Sequence, residues 1–143
     1  MKTGCYPVLR DMLRHSNTRK QGDIGMGDCI AYFTALGYTV AIPLTDSQKY
    51  DLIVENEGNI YRVQVKTTTQ SLNGVPVVQL KTSGGNKTRQ SILPFEKTDS
   101  DILYVLSEVE GDVIRRHVIP TTDITTLTSI NLGYKYEQYR VSN

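Results

Sequence analysis

The chain contains no tryptophan and only two cysteines, Cys5 and Cys29, among 143 residues. Two thiols are too few for a disulfide framework and lack the paired spacing of a metal site, so both are read as reduced. No window of eighteen apolar residues occurs, which argues against a membrane-spanning helix, and the first residues lack the apolar run of a signal peptide. A soluble, intracellular protein is the expectation. There is no internal repeat and no low-complexity tract. The apolar share is 38% and the net charge is only +1, so bulk composition names no polyanionic partner until charge is mapped along the chain.

That map is uneven. Residues 1–20 carry Lys2, Arg10, Arg14, Arg19 and Lys20 against Asp11, and residues 62–97 carry Arg62, Lys66, Lys81, Lys87, Arg89 and Lys97 against Glu96. The acids concentrate in 23–59 and 98–113. Such segregation suits a chain that grips a polyanion with two segments and gathers carboxylates around a cation, although a solvated surface of mixed sign has the same pattern. The length fits a single domain with a core of its own, divided as a basic N-terminal helix and linker over 1–22, a core over 23–107 and a C-terminal segment over 108–143.

The informative stretch runs from Tyr50 to Lys66. Asp51-Leu-Ile-Val-Glu55 and Ile60-Tyr-Arg-Val-Gln-Val-Lys66 are β-branched and aromatic, and the Asn56-Glu-Gly-Asn59 between them is hairpin-turn chemistry. Alternation along a strand puts Arg62, Gln64 and Lys66 on one face of the second strand and Val63 and Val65 on the other, towards a core. A carboxylate at the start of one strand, and an amide and an ammonium two apart on its neighbour, can therefore converge. Asp51 offers a hard oxygen ligand for Mg²⁺, Gln64 a weaker carbonyl oxygen, and Lys66 a charge able to orient a water or offset a phosphate.

Asp51 followed by Gln64-Val-Lys66 resembles the core of the PD-(D/E)XK nuclease superfamily, in its variant with Gln for the second acid. The wider context, Lys20-Gln-Gly-Asp-Ile-Gly25, Ala31-Tyr-Phe-Thr-Ala-Leu-Gly-Tyr38 and Pro43-Leu-Thr-Asp-Ser47, is similar to the group I intron-associated homing endonucleases of that superfamily. The resemblance implies an α/β fold, a mixed β-sheet flanked by helices with a restriction-endonuclease-like core. It further implies a Mg²⁺-dependent endodeoxyribonuclease, with Mn²⁺ as a substitute, acting on double-stranded DNA as a homodimer or homotetramer in the cytoplasm of a bacterial or phage-infected cell. A Holliday-junction resolvase or repair nuclease of the same fold, and a DNA-binding module whose catalysis has decayed, are the alternatives.

Around that hairpin, Pro7 to Arg14 reads as a short helix and His15 to Gly22 as a polar linker laying Arg19 and Lys20 against a DNA backbone. Asp23 is placed to cap the helix that Gly37 closes. In many nucleases of the superfamily a Glu from this helix enters the metal site. The matching position is Met26, with Asp23 as a substitute site member and Asp28 a weaker one. Tyr38 to Leu44 reads as a strand that Pro43 marks as exposed or terminal. Thr67, at the end of the second hairpin strand, offers a hydroxyl to phosphate, or has only strand propensity. Val75 to Lys81 is a further strand, and Thr82 to Ser91 is a loop whose Asn86, Lys87 and Arg89 suit DNA contact. Asp101 to Ser107 and Val113 to Ile119 form a second hairpin, the first strand buried on both faces. Tyr134, Tyr136 and Tyr139 either stack on bases or pack against the domain.

Overall fold

The computed structural model describes residues 9–84, 91–109 and 113–142. Among the described residues two α-helices, α1 (Leu9–Leu13) and α2 (Thr18–Ala35), precede ten strands: β1 (Thr39–Ala41), β2 (Leu52–Asn56), β3 (Asn59–Thr68), β4 (Ser71–Leu72), β5 (Val75–Gln79), β6 (Thr82–Gly84), β7 (Ser91–Leu93), β8 (Ile102–Val109), β9 (Val113–Pro120) and β10 (Ser129–Asn131). The main sheet has the order β1-β2-β3-β8-β9. All its neighbours are antiparallel except β3 and β8, which run parallel. A smaller sheet, β10-β5-β4, lies beside it, and β6 pairs with β7.

The hairpin forms where expected. Leu52 pairs with Val63 and Asn56 with Asn59, and the turn between them places Glu57 at φ 51° and Gly58 at φ 83°. Two successive positive φ values give the reversal whose twist matches a two-residue hairpin. β1, with Pro43 beyond its end, lies at the sheet edge, and β8 is an interior strand, between β3 and β9, buried along nearly its whole length.

The sheet separates two cores. On one side, α2 buries Cys29 and Phe33 against Leu52, Val54, Val63 and Tyr104, with Met26, Ile30 and Val65 packed alongside. On the other, Leu103, Val105 and Ile119 meet Val78, Leu80 and Phe95, together with Ile124, Ile130, Leu132 and Tyr136 from the C-terminal segment. β3 therefore lies between the two, its odd residues towards α2 and its even residues towards the second core.

α2 departs from the sequence reading. It begins at Thr18, capped by the Asn17 side chain, which accepts from the backbone amides of Arg19 at 3.0 Å and Lys20 at 3.4 Å. The polar linker thus becomes the first helical turn, and Asp23 is an exposed mid-helix residue rather than its cap. The C-terminal end is as read. Gly37, at φ 88°, donates to the Thr34 carbonyl and Tyr38 to the Phe33 carbonyl, the paired bonds of a left-handed glycine stop.

One contact sets the distance between α2 and β3. A Cβ on Gly25 would lie 2.0 Å from Thr67 Oγ1 and 3.5 Å from Val65 Cγ1. Glycine is required here for closeness, since any side chain would hold the helix off the strand. α2 is further tied to the sheet by Asp28, whose carboxylate accepts from Arg116 Nε at 2.8 Å, Arg116 Nη2 at 2.7 Å and the Tyr104 hydroxyl at 2.6 Å.

Candidate active site

Asp51 stands at the entry to β2, where the regular ladder gives way. Its backbone amide donates to the Val63 carbonyl at 2.9 Å, and its Oδ2 accepts from the Val65 amide at 2.7 Å. The carboxylate thus takes a ladder position on β3, fixed one residue from both Gln64 and Lys66. No hydrogen bond is made by Oδ1 among the described residues.

The register continues the pairing of Leu52 with Val63, so Asp51 comes opposite Gln64, with Lys66 two residues further along the same face. Gln64 Oε1 is buried and has no hydrogen-bond partner among the described residues. A buried amide oxygen left in this way costs about 1–3 kcal/mol, so it marks a place where something else is expected to bind. Burial pushes the Asp51 carboxyl up, opposed by the Val65 amide and the Lys66 charge. Burial pushes the Lys66 ammonium down, opposed by Asp51. Each group is therefore only partly compensated by the other, and Asp51 in particular would gain from a cation.

Asp51 and Gln64 share a cavity of about 170 Å³ with Asp99 and Lys49, walled on its apolar side by Leu80 and Phe95. Asp99 ends a 3₁₀ turn, Lys97–Asp99, just before β8. Sequence reasoning did not find Asp99 or Lys49. Asp99 comes 35 positions after Gln64 and enters only because β8 returns parallel to β3, and Lys49 lies in the loop before Asp51 with no motif of its own.

Among the described residues no three His, Cys, Asp or Glu side chains gather as a metal cluster. The donor set is instead mixed: two carboxylates, Asp51 and Asp99, and the orphaned Gln64 oxygen. All three are hard oxygen donors, and together they fit an incompletely protein-coordinated Mg²⁺ or Mn²⁺, the usual state for Mg²⁺, which keeps several waters. They do not suit a soft metal.

Other predicted site residues are placed as follows. Asp23 is exposed and two residues from Gly25, about 200° around the helix from the face that meets β3, so its assignment to the catalytic site is corrected. Asp28 is committed to Arg116 and Tyr104 and leaves the site likewise. Met26, where the resemblance puts a helix Glu, packs with the apolar cluster under α2. The Thr67 hydroxyl is buried beneath Gly25, so its reading as a phosphate contact is also corrected. Arg19 and Lys20 are exposed on the first turn of α2. Asn86, Lys87 and Arg89 lie outside the described residues. Of the tyrosines, Tyr136 is buried in the second core, Tyr139 packs against it and Tyr134 is exposed. Cys29 is buried and its thiol is pushed up to about 12, chiefly by burial and then by the charges of Asp28 and Asp51, which keeps it an unreactive core residue.

Comparison with known proteins gives the family and the fold. The sequence model of the PD-(D/E)XK endonuclease family matches residues 16–130. Over 87 residues the chain is 37% identical to Protein 5.3 of Escherichia phage T7, a match covering 59% of this chain and 68% of that protein. In structure it is similar to the bacterial homing endonuclease I-Ssp6803I, with a TM-score of 0.72 and 26% identity, over 87% of this chain and 89% of that one.

Proposed function

Because this chain belongs to the PD-(D/E)XK endonuclease family, we propose that its Asp51, Gln64 and Lys66 hydrolyse DNA phosphodiester bonds with the aid of a divalent cation. The observation that carries this reading is the buried Gln64 oxygen, without a partner among the described residues, beside Asp51 in a partly open cavity. A purely structural hairpin gains nothing from that arrangement.

Uncatalysed cleavage of this linkage is slow enough that a rate effect of about 20 kcal/mol is required. A bound Mg²⁺ supplies charge neutralisation at the phosphate and a more acidic water. Asp51, Gln64 and Asp99 would hold it. The Val65 amide fixes the Asp51 carboxylate, so the ligand does not have to be ordered at the moment of binding. Lys66 places a positive charge next to Asp51 with no ion pair or hydrogen bond among the described residues to occupy it. It is therefore free to hold the attacking water or a phosphate oxygen as negative charge grows during attack on phosphorus and departure of the sugar oxygen. Leu80 and Phe95 limit water on the apolar side, which strengthens those interactions.

The finer reading is a site-specific homing endonuclease, supported by the likeness to I-Ssp6803I. Two active sites are needed to cut both strands, so a homodimer or homotetramer is part of the proposal. Cleavage of one long duplex sequence is the expected result, whereas cutting of four-way junctions regardless of sequence would make it a resolvase. One observation favours a second reading, a DNA-binding module without catalysis: Met26 lies in an apolar cluster where a helix carboxylate would sit. A nicking assay with Mg²⁺ or Mn²⁺ separates the two. The nuclease reading expects cleavage by the unaltered protein, its loss in Lys66→Ala and Asp51→Asn, and DNA binding kept in Asp51→Asn. Full cleavage by Lys66→Ala would remove Lys66 from the mechanism, and DNA binding without cleavage by the unaltered protein would establish the binding module.

A further inference from the structure

Lys66 lines a different and larger depression, of about 480 Å³, from the cavity that holds Asp51 and Gln64. Its walls come from three parts of the chain: Thr18 and Gln21 at the start of α2, Lys66 and Thr69 at the end of β3, and Gln79 and Lys81 at the end of β5. No residue lining it is an Asp or a Glu. This is notable in a chain that carries 15 acids against 16 Lys and Arg, since mixed charge is the ordinary condition of a protein surface.

The lining groups differ in availability. The Thr68 hydroxyl donates to the Val77 carbonyl at 2.7 Å and accepts from the Gln70 amide at 3.1 Å, and Thr67 is shut under Gly25. Gln21 is held by its Nε2 on the His15 carbonyl at 2.6 Å and serves as a wall. Thr69, Gln79 and Lys81 are exposed, and none makes a side-chain hydrogen bond or ion pair among the described residues. Two ammonium groups, a hydroxyl and an amide facing one trough, beside the start of an 18-residue helix whose dipole is positive there, are a set of donors for phosphate oxygens.

We propose that this trough is a phosphate-binding subsite, which holds the sugar–phosphate backbone of the cleaved strand next to the scissile phosphate, with Lys81 as its principal charge. The proposal rests on the nuclease reading for the placement of the scissile phosphate at Lys66, and names the track by which the strand leaves it. Lys66 lines the trough, and its charge also acts on Asp51 in the smaller cavity, so a strand crossing from one to the other passes a positive charge. The role is positioning rather than chemistry. The trough contacts backbone, so it contributes affinity equally to all sequences and makes that affinity sensitive to salt.

The test uses the full chain with Ca²⁺ in place of Mg²⁺ to hold back cleavage, and measures binding to a duplex of arbitrary sequence as salt is raised. Lys81→Gln is expected to make the slope of log affinity against log salt shallower by about one, and to raise KM severalfold in Mg²⁺ with kcat unchanged. Lys135→Gln, which alters an exposed lysine of the C-terminal segment bonded to Thr125, is expected to leave the slope as it was. Thermal denaturation of each variant checks that the fold is kept. An unchanged slope in Lys81→Gln, or an equal fall in Lys135→Gln, overturns the subsite while the nuclease reading stands on its own cleavage assay. Failure of the unaltered protein to bind duplex DNA at all removes both.

Discussion

Replacing Gly25 by Ala sets two well-defined effects against each other. In an exposed helix interior the change stabilises by about 1 kcal/mol, because alanine loses less backbone freedom on folding. At this position the added Cβ would stand 2.0 Å from Thr67 Oγ1, against an ordinary contact of 3.4 Å or more, with Thr67 Cβ at 3.4 Å and Val65 Cγ1 at 3.5 Å behind it. Thr67 is β-branched and on a strand, so turning its hydroxyl aside swings its methyl group through packed space. Otherwise α2 must move off β3 and loosen the contacts of Cys29 and Phe33. Overpacking of this kind costs about 3 kcal/mol at the upper end of its usual range, leaving Gly25→Ala less stable by roughly 2 kcal/mol and its Tm lower by roughly 6–8 °C. Gly27→Ala is the internal control. Its Cβ meets nothing within 4 Å, so propensity acts alone and the Tm rises. Thr67→Ala removes the obstructing oxygen, and in that background Gly25→Ala is expected to be neutral or stabilising. Urea denaturation of the four proteins in the cycle gives the coupling directly. A Tm for Gly25→Ala that matches the rise in Gly27→Ala would refute the close approach and the helix placement with it.

Three further outcomes follow from named contacts. Asp28→Ala leaves the part-buried Arg116 guanidinium and the Tyr104 hydroxyl without their shared acceptor, so urea denaturation is expected to show a loss of about 3 kcal/mol or more. His117 is fully buried, neither ring nitrogen has a partner among the described residues, and burial lowers its pKa to about 4 from 6.5. Between those values the unfolded chain binds the proton more tightly. Stability is therefore complete above pH 6.5 and falls as pH drops towards 4, by about 3 kcal/mol in all. In His117→Phe, urea titrations at pH 7 and 4.5 should show a smaller acid loss than in the unaltered protein, and an equal loss would exclude His117 as its source. Asp99→Asn removes one carboxylate from the cation cavity without touching β2 or β3, and calorimetric titration with Mn²⁺ is expected to show affinity reduced roughly tenfold or more. Undiminished affinity would take Asp99 out of the cation site.

The parts of this molecule that were legible in its sequence are those specified locally. The hairpin declared itself through β-branched alternation and the Asn56 to Asn59 turn, and alternation alone put Asp51, Gln64 and Lys66 on the face opposite Val63 and Val65. The start of α2 was concealed because its first two turns carry no apolar stripe. The face that meets the sheet is made by Gly25, Cys29 and Phe33, and a glycine used for closeness gives no hydrophobic signal. Ile30 and Phe33 are the apolar residues this helix does show, and a face drawn through them runs back to Met26 and Asp23, which brings Asp23 inward. Asp99 illustrates a different limit. Its nearness to Gln64 depends on the crossover that sets β8 parallel to β3, and nothing near either residue encodes it.

β3 explains why stability and chemistry are coupled here. Its residues alternate between faces: Val63, Val65 and Thr67 seat α2, while Gln64 lines the candidate site and Lys66 the larger trough. A slip of one residue in its pairing would press an ammonium and an amide into the apolar core and turn two valines towards the candidate site. Three constraints prevent this: the Glu57-Gly58 turn fixes the pairing with β2, six consecutive pairs lock β3 to β8, and Gly25 accepts Thr67 and no bulkier contact. The Asp51 carboxylate adds a fourth by bonding the Val65 amide, so the candidate metal ligand is itself part of the register. It follows that Asp51→Ala confounds loss of a ligand with loss of a strand contact. Asp51→Asn keeps an acceptor for the Val65 amide while removing the charge, and is the variant that isolates the chemistry.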